Sequence, residues 1–136
     1  MSTAGQVCGK TTFKGYNVKA SAVIVKGVGV YLSAADEVDV ATANLKCIGV
    51  AMQDVTGNAD GTSRVEVALA DGGTVRVKAS GTVTRGEFLI AGTDGFENQT
   101  FGGGTVVKYA IGQALESGVD NDFVECKLGS FAGVGA

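Results

Sequence analysis

The sequence predicts an all-β protein, a small sandwich or barrel-like domain built from two related β units. Three observations carry this. Apolar and polar residues alternate with a period of two in several short stretches. Gly makes up 22 of 136 residues and Pro none, against an average Gly share of about 7%, and the glycines cluster between the alternating stretches. A set of short phrases also recurs once in the same order, which marks an internal duplication.

From the N-terminus, residues 1–15 are Gly- and Thr-rich, carry Lys10 and Lys14, and are expected to form an extended arm. Strands are expected at 17–25, 29–33, 37–41 and 46–54. The stretch SAADEVDVATANL has the capping-box spacing of a helix start at Ser33 and Asp36, but its Val38, Val40 and Thr42 favour a strand. Residues 56–63 read as a loop. Val65, Val67 and Leu69 then alternate with Arg64, Glu66 and Ala68, and Val75, Val77 and Ala79 alternate with Arg76 and Lys78, on either side of Asp71-Gly72-Gly73. This reads as a hairpin with a three-residue loop, pairing Val67 with Val77 and Glu66 with Lys78, because that register keeps apolar residues on one face. Further strands are expected at 82–84, 87–91, 105–115 and 122–128, with loops at 92–95 and 102–104 and a flexible tail at 129–136.

The duplication rests on five landmarks. Val18-Lys19-Ala20-Ser21 recurs as Val77-Lys78-Ala79-Ser80, Lys26-Gly27 as Arg85-Gly86, and Tyr31-Leu32 as Phe88-Leu89. Ile48-Gly49-Val50-Ala51 is matched by Ile111-Gly112-Gln113-Ala114, and Val65-Glu66 with Leu69 by Val124-Glu125 with Leu128. The units are therefore drawn at 16–73 and 74–128, one β domain over 16–128.

Composition excludes several function classes. With no His there is no Ser-His-Asp triad, Cys-His pair or imidazole acid/base. No Trp, 7% aromatics, a net charge of −3 and a pI near 4.8 argue against a nucleic-acid partner. No apolar run approaches the roughly 18 residues of a spanning helix, and MSTAGQVCGKTTFKG lacks the apolar segment of an export signal, so no membrane partner is expected. Cys8, Cys47 and Cys126 are an odd number without metal-ligand spacing; Cys47 and Cys126 sit in apolar strands as core residues, and Cys8 is the thiol expected to be exposed. The Asn98-Gln99-Thr100 sequon carries no meaning without secretion.

Two motifs fail on context. Ala4, Gly9, Lys10 and Thr11 match a loose phosphate-binding pattern, but Thr12-Phe13-Lys14-Gly15 does not begin the helix that such a loop needs. Asn58-Ala59-Asp60-Gly61 resembles the middle of a calcium loop, but Thr56 and Val67 stand where carboxylates belong. A turn is the simpler reading. A sandwich-type carrier would need a lysine at a hairpin tip, and Asp71-Gly72-Gly73 has none. No catalytic, cofactor-binding or metal-binding residues are assigned, and no enzyme is expected.

What the charges do suggest is interaction. Residues 1–35 hold four lysines and no acid, whereas residues 36–136 hold seven basic and fourteen acidic residues, a basic arm on an acidic body. Val7, Cys8, Lys10, Phe13 and Lys14 are the candidate interface residues: small apolar anchors and cations on a segment that orders on binding.

The stretch VKASGTVTRGEFLIAGTDG, followed by YAIGQALESGVDNDFVECKL with its IGxAL and VExxL phrases, resembles the capsid cement, or head decoration, proteins of tailed bacteriophages. The resemblance covers roughly residues 16–128. It implies a virion structural protein that binds the outside of an assembled icosahedral shell and bridges major capsid protein subunits. It also implies a homotrimer, assembled in the host cytoplasm. The alternatives are another virion β module, such as a tail or fibre base, or a non-catalytic carrier or binding domain.

Overall fold

The computed structural model describes residues 11–42, 45–99 and 107–134, with side chains as far as residue 129. Twelve strands are seen among them. The first unit contains β1 (Phe13–Val18), β2 (Val23–Ile24), β3 (Gly29–Ala34), β4 (Glu37–Val40), β5 (Cys47–Ala51), β6 (Val55–Thr56) and β7 (Arg64–Leu69). The second contains β8 (Thr74–Lys78), β9 (Phe88–Gly92), β10 (Gly95–Gln99), β11 (Val107–Ala114) and β12 (Phe123–Val134). Strands β1-β4-β3-β5-β7 close a barrel, with β2 and β6 paired beside it. The second unit is a five-stranded sheet in the order β10-β9-β11-β12-β8.

The duplication is visible in the pairing. Every ladder of the first unit has a counterpart in the second. The β1–β7, β3–β4, β3–β5 and β5–β7 pairs answer to β8–β12, β9–β10, β9–β11 and β11–β12. The parallel β1–β4 pair and the β2–β6 pair answer to single bridges, Ala79 with Phe96 and Val83 with Gly118. The second sheet thus has the barrel's order, with one bridge where the barrel has a ladder.

Three of the five landmarks are structurally equivalent. Gly27 and Gly86 both take left-handed φ, +89° and +91°, where glycine has no steric penalty. Their N–H groups donate to Ala51 O and Ala114 O, each at 2.8 Å. Met52 N–H donates to Glu66 O as Leu115 N–H does to Glu125 O, both at 2.9 Å. The other two landmarks slide by two residues. Val18 corresponds to Ala79, not Val77: their N–H groups donate to Ser63 O and Asp122 O at 2.7 and 2.8 Å. Val30 corresponds to Leu89, since they pair with Gly49 and Gly112. A slide of two keeps every side chain on its face, which is why the sequence phrases still matched.

The expected hairpin across Asp71-Gly72-Gly73 does not form. Val67 lies opposite Lys14 and Ala51, and Val77 opposite Val124. Glu66 faces Gly15 and Lys78 faces Phe123, so the Glu66–Lys78 pair is absent. Both edges of β7 are taken, by β1 and β5, and the glycine-containing turn, with Gly72 at φ +100°, links one unit to the next. Alternation reports which face is buried, not which strand lies alongside.

Two other boundaries differ from expectation. Strand β1 begins at Phe13, Leu69 N–H donates to Thr12 O at 2.8 Å, and Thr11 Oγ1 donates to Thr74 O at 3.0 Å. Residues 11–15, expected in the arm, are therefore part of the folded body. The tail was expected to start at residue 129, but β12 runs on to Val134, pairing with Val107. Strand β10 has no counterpart in the sequence reading, because GFENQ shows no alternation. Residues 82–84, expected as a strand, contribute only the Val83 bridge. The Asn58–Gly61 segment is a turn: Asn58 Oδ1 accepts from Thr62 N–H at 2.9 Å and its Nδ2 donates to Thr62 Oγ1 at 2.8 Å. In the stretch with helix spacing, a turn with Asp36 at φ +55° joins β3 to β4.

Two apolar cores hold the molecule. One lies inside the barrel and includes Val18, Val30, Val38, Val65 and Val67. The other joins Cys47, Val50 and Ala68 of the first unit to Leu89, Phe96, Ile111 and Leu128 of the second. Toward its C-terminal end β7 is therefore covered on both faces, Val67 toward the barrel interior and Ala68 toward the shared core, while Arg64 and Glu66 stay exposed. No side-chain polar atom is buried without a hydrogen-bond partner among the described residues.

Candidate attachment surface

Where the two units meet, a groove of about 570 Å³ opens beside β8. Phe13 of β1 and Phe123 of β12 stand in its walls, with Met52, Thr74 and Val75 between them and Lys26 and Arg76 at hand. The two aromatic rings are 50% and 44% exposed, so both face solvent. Surface hydrophobic residues scattered singly need no explanation, but aromatic residues gathered in a concave site mark a place for binding. Arg76 Nη1 donates to Glu116 Oε1 at 2.8 Å and to Phe123 O at 3.1 Å. Lys26 N–H donates to Asp54 Oδ1 at 2.7 Å.

Of the candidate interface residues, Val7, Cys8 and Lys10 lie outside the described residues. Phe13 and Lys14 are in β1 and are brought to different surroundings. Phe13 lines the groove, while the Lys14 ammonium stands 5.0 Å from the centre of the Tyr16 ring. Sequence reasoning missed Phe123, and a signal was present. Period-two alternation through Phe123, Glu125 and Lys127 places them on one outer face, so an aromatic residue stands among charges on a solvent-facing side.

What the site offers is apolar contact, hydrogen bonding and charge. No group of three or more Cys, Asp or Glu among the described residues could hold a metal ion. The thiols that are seen are structural. Cys47 and Cys126 are buried and unpaired. Burial pushes both up to about 12 from an ordinary value near 9, against the smaller opposing effect of backbone hydrogen bonds. They stay protonated and unreactive at neutral pH.

This has a measurable consequence. Between about pH 9 and 12 the unfolded thiols ionise and the folded ones do not, so the folded state binds more protons and stability falls as pH rises. The slope reaches about 1.4 kcal/mol per pH unit for each thiol. Urea unfolding at pH 8 and pH 10 should show that loss, and a Cys47→Ala/Cys126→Ala variant should show a shallower one. Equal slopes would mean that the two thiols are not the source. A thiol reagent at pH 8 should label neither residue until the chain is unfolded.

No family model matches the chain, and no curated protein matches it. Among solved structures it is similar to the head fiber gp8.5 N base of bacteriophage phi29, with a TM-score of 0.59 and 19% identity. The likeness is one of fold. It covers 87% of this chain and 93% of that one, more than either β unit alone could account for.

Proposed function

We propose that this chain is a non-catalytic structural component of a bacteriophage particle, a β module of the fibre-base kind that sits on the outside of the shell. The observation that carries this is a fold match to a head-fiber base that spans 87% of this chain, more than one barrel. The reading agrees with a sequence without imidazole chemistry and with an exposed aromatic groove. Its partners are the major capsid protein and further copies of the chain, the homotrimer that the resemblance implies. Attachment stabilises the shell by mass action, since a ligand that binds only the assembled state shifts the equilibrium toward it.

The cement reading is the second, supported by the phrases from Val77 to Leu128. The two differ in copy number. Quantitative mass spectrometry of purified particles should find the chain at a small fixed fraction of the shell protein for a fibre base, and near parity for cement. Absence from the particle would overturn both.

A further inference from the structure

The two units are duplicates, so a place where they differ in an otherwise shared arrangement shows what one of them has been adapted to do. The outer edge of β8 is such a place. Ala79 N–H donates to Asp122 O and Leu128 N–H to Gly73 O. By the alternation of an antiparallel ladder, Val75 and Val77 therefore bond to β12, while Thr74, Arg76 and Lys78 turn their main-chain groups away from it. Two of these positions are occupied: Lys78 N–H donates to Gly27 O at 3.0 Å, and Thr74 O accepts from Thr11 Oγ1 at 3.0 Å. Between them, the N–H and C=O of Arg76 have no partner among the described residues.

The same edge in the first unit is closed. Asn17 pairs with Arg64 as Lys78 pairs with Phe123, so Gly15 corresponds to Arg76 and Arg64 to Phe123. Arg64 Nη2 donates to Gly15 O at 2.8 Å and Nη1 to Asn17 Oδ1 at 3.0 Å. The guanidinium covers the edge, one of the ways proteins protect strands from unwanted pairing. In the second unit the covering cation is replaced by an exposed phenyl ring, and the groove runs beside the open edge.

We infer that the outer edge of β8 receives an extended, acidic segment of the shell partner by strand addition. This rests on the reading of the chain as a shell-attached module. The segment's main chain bonds to Arg76 N–H and C=O. An apolar side chain seats between Phe13 and Phe123, and a carboxylate meets Lys26. Strand addition takes affinity from main-chain bonds and specificity from side-chain pockets, and the groove supplies both. The charge argument is specific. Lys26 makes no ion pair among the described residues, and the chain's own residues 1–10 hold Lys10 and no acid, so they do not complement it.

The test uses the full chain and purified particles grown without it, with co-sedimentation and amide exchange as readouts. Phe123→Arg restores the residue that the first unit carries at this position. Arg76→Pro removes the edge N–H without removing a ladder bond, which an edge position tolerates; Arg76→Thr keeps that N–H. The first two should each weaken particle binding by about tenfold or more, as loss of a main-chain bond and its apolar contact would, while Arg76→Thr stays within about threefold. Unreactive Cys47 and Cys126 verify the fold in each variant. The Arg76 amide should exchange fast in the free chain and slowly on the particle.

Unchanged binding of both Phe123→Arg and Arg76→Pro would overturn the inference and leave shell attachment standing. So would an Arg76 amide already slow in the free chain and made fast by deleting residues 2–10, or slowed by raising protein concentration alone. The first would put the chain's own segment on the edge, the second another copy. A wild-type chain that does not bind particles would overturn the functional reading as well.

Discussion

Replacing Gly49 with alanine should destabilise the protein by about 3 kcal/mol or more, lowering the thermal midpoint by on the order of 10 °C. A Cβ at Gly49 would press into the carbonyl of Ala68 on the neighbouring strand. Backbone in a closed barrel cannot retreat as a flexible side chain would, because β7 is held by β1 on its other side. The duplicate position makes the claim sharper. Gly112→Ala meets the carbonyl of Lys127 in the same way and should cost a similar amount, although the two glycines lie in different units. Thermal unfolding followed by circular dichroism measures both. A loss below about 1 kcal/mol at both sites would show that the strands separate easily, and that the two glycines are not matched by constraint.

Phe96→Ala should cost roughly 4 kcal/mol, the usual penalty for emptying a fully buried aromatic site, and both units should lose stability together. Phe96 is 0% exposed in β10 and belongs to the core that also contains Cys47, Val50 and Ala68 of the first unit. Weakening that core loosens the second sheet and the outer face of the barrel at once. Cys47 and Cys126 report on the two units separately. With Phe96 truncated, their labelling by a thiol reagent should rise at the same urea concentration. If Cys126 becomes reactive while Cys47 stays protected, the barrel is stable alone and the shared core does not couple the two.

Much of this molecule is legible in its residues, and for local reasons. Alternation of Val65, Val67 and Leu69 or of Val75 and Val77 depends only on which face is buried, so it declares strands wherever they pair. The Gly27 and Gly86 positions and the Ile-Gly-x-Ala and Val-Glu phrases mark the duplication, because a left-handed turn and a close strand crossing each permit few residues. The absence of His bounds the chemistry before any fold is known.

What only the tertiary structure decided is partnership. The Asp71-Gly72-Gly73 turn looks like a hairpin from either side, yet β7 pairs with β1 and β5, and β8 with β12. Contacts between residues more than fifty positions apart, such as Phe13 with Ala68, leave no mark on a local pattern. They form because closing the barrel and packing the second sheet against it occupies most strand edges and buries Val67 on one face of β7 and Ala68 on the other, which a single hairpin cannot do. The open edge at Arg76 belongs to the same class of fact. Arg64 and Phe123 are merely a cation and an aromatic in the sequence; only the superposed ladders show that one covers an edge and the other stands beside an open one.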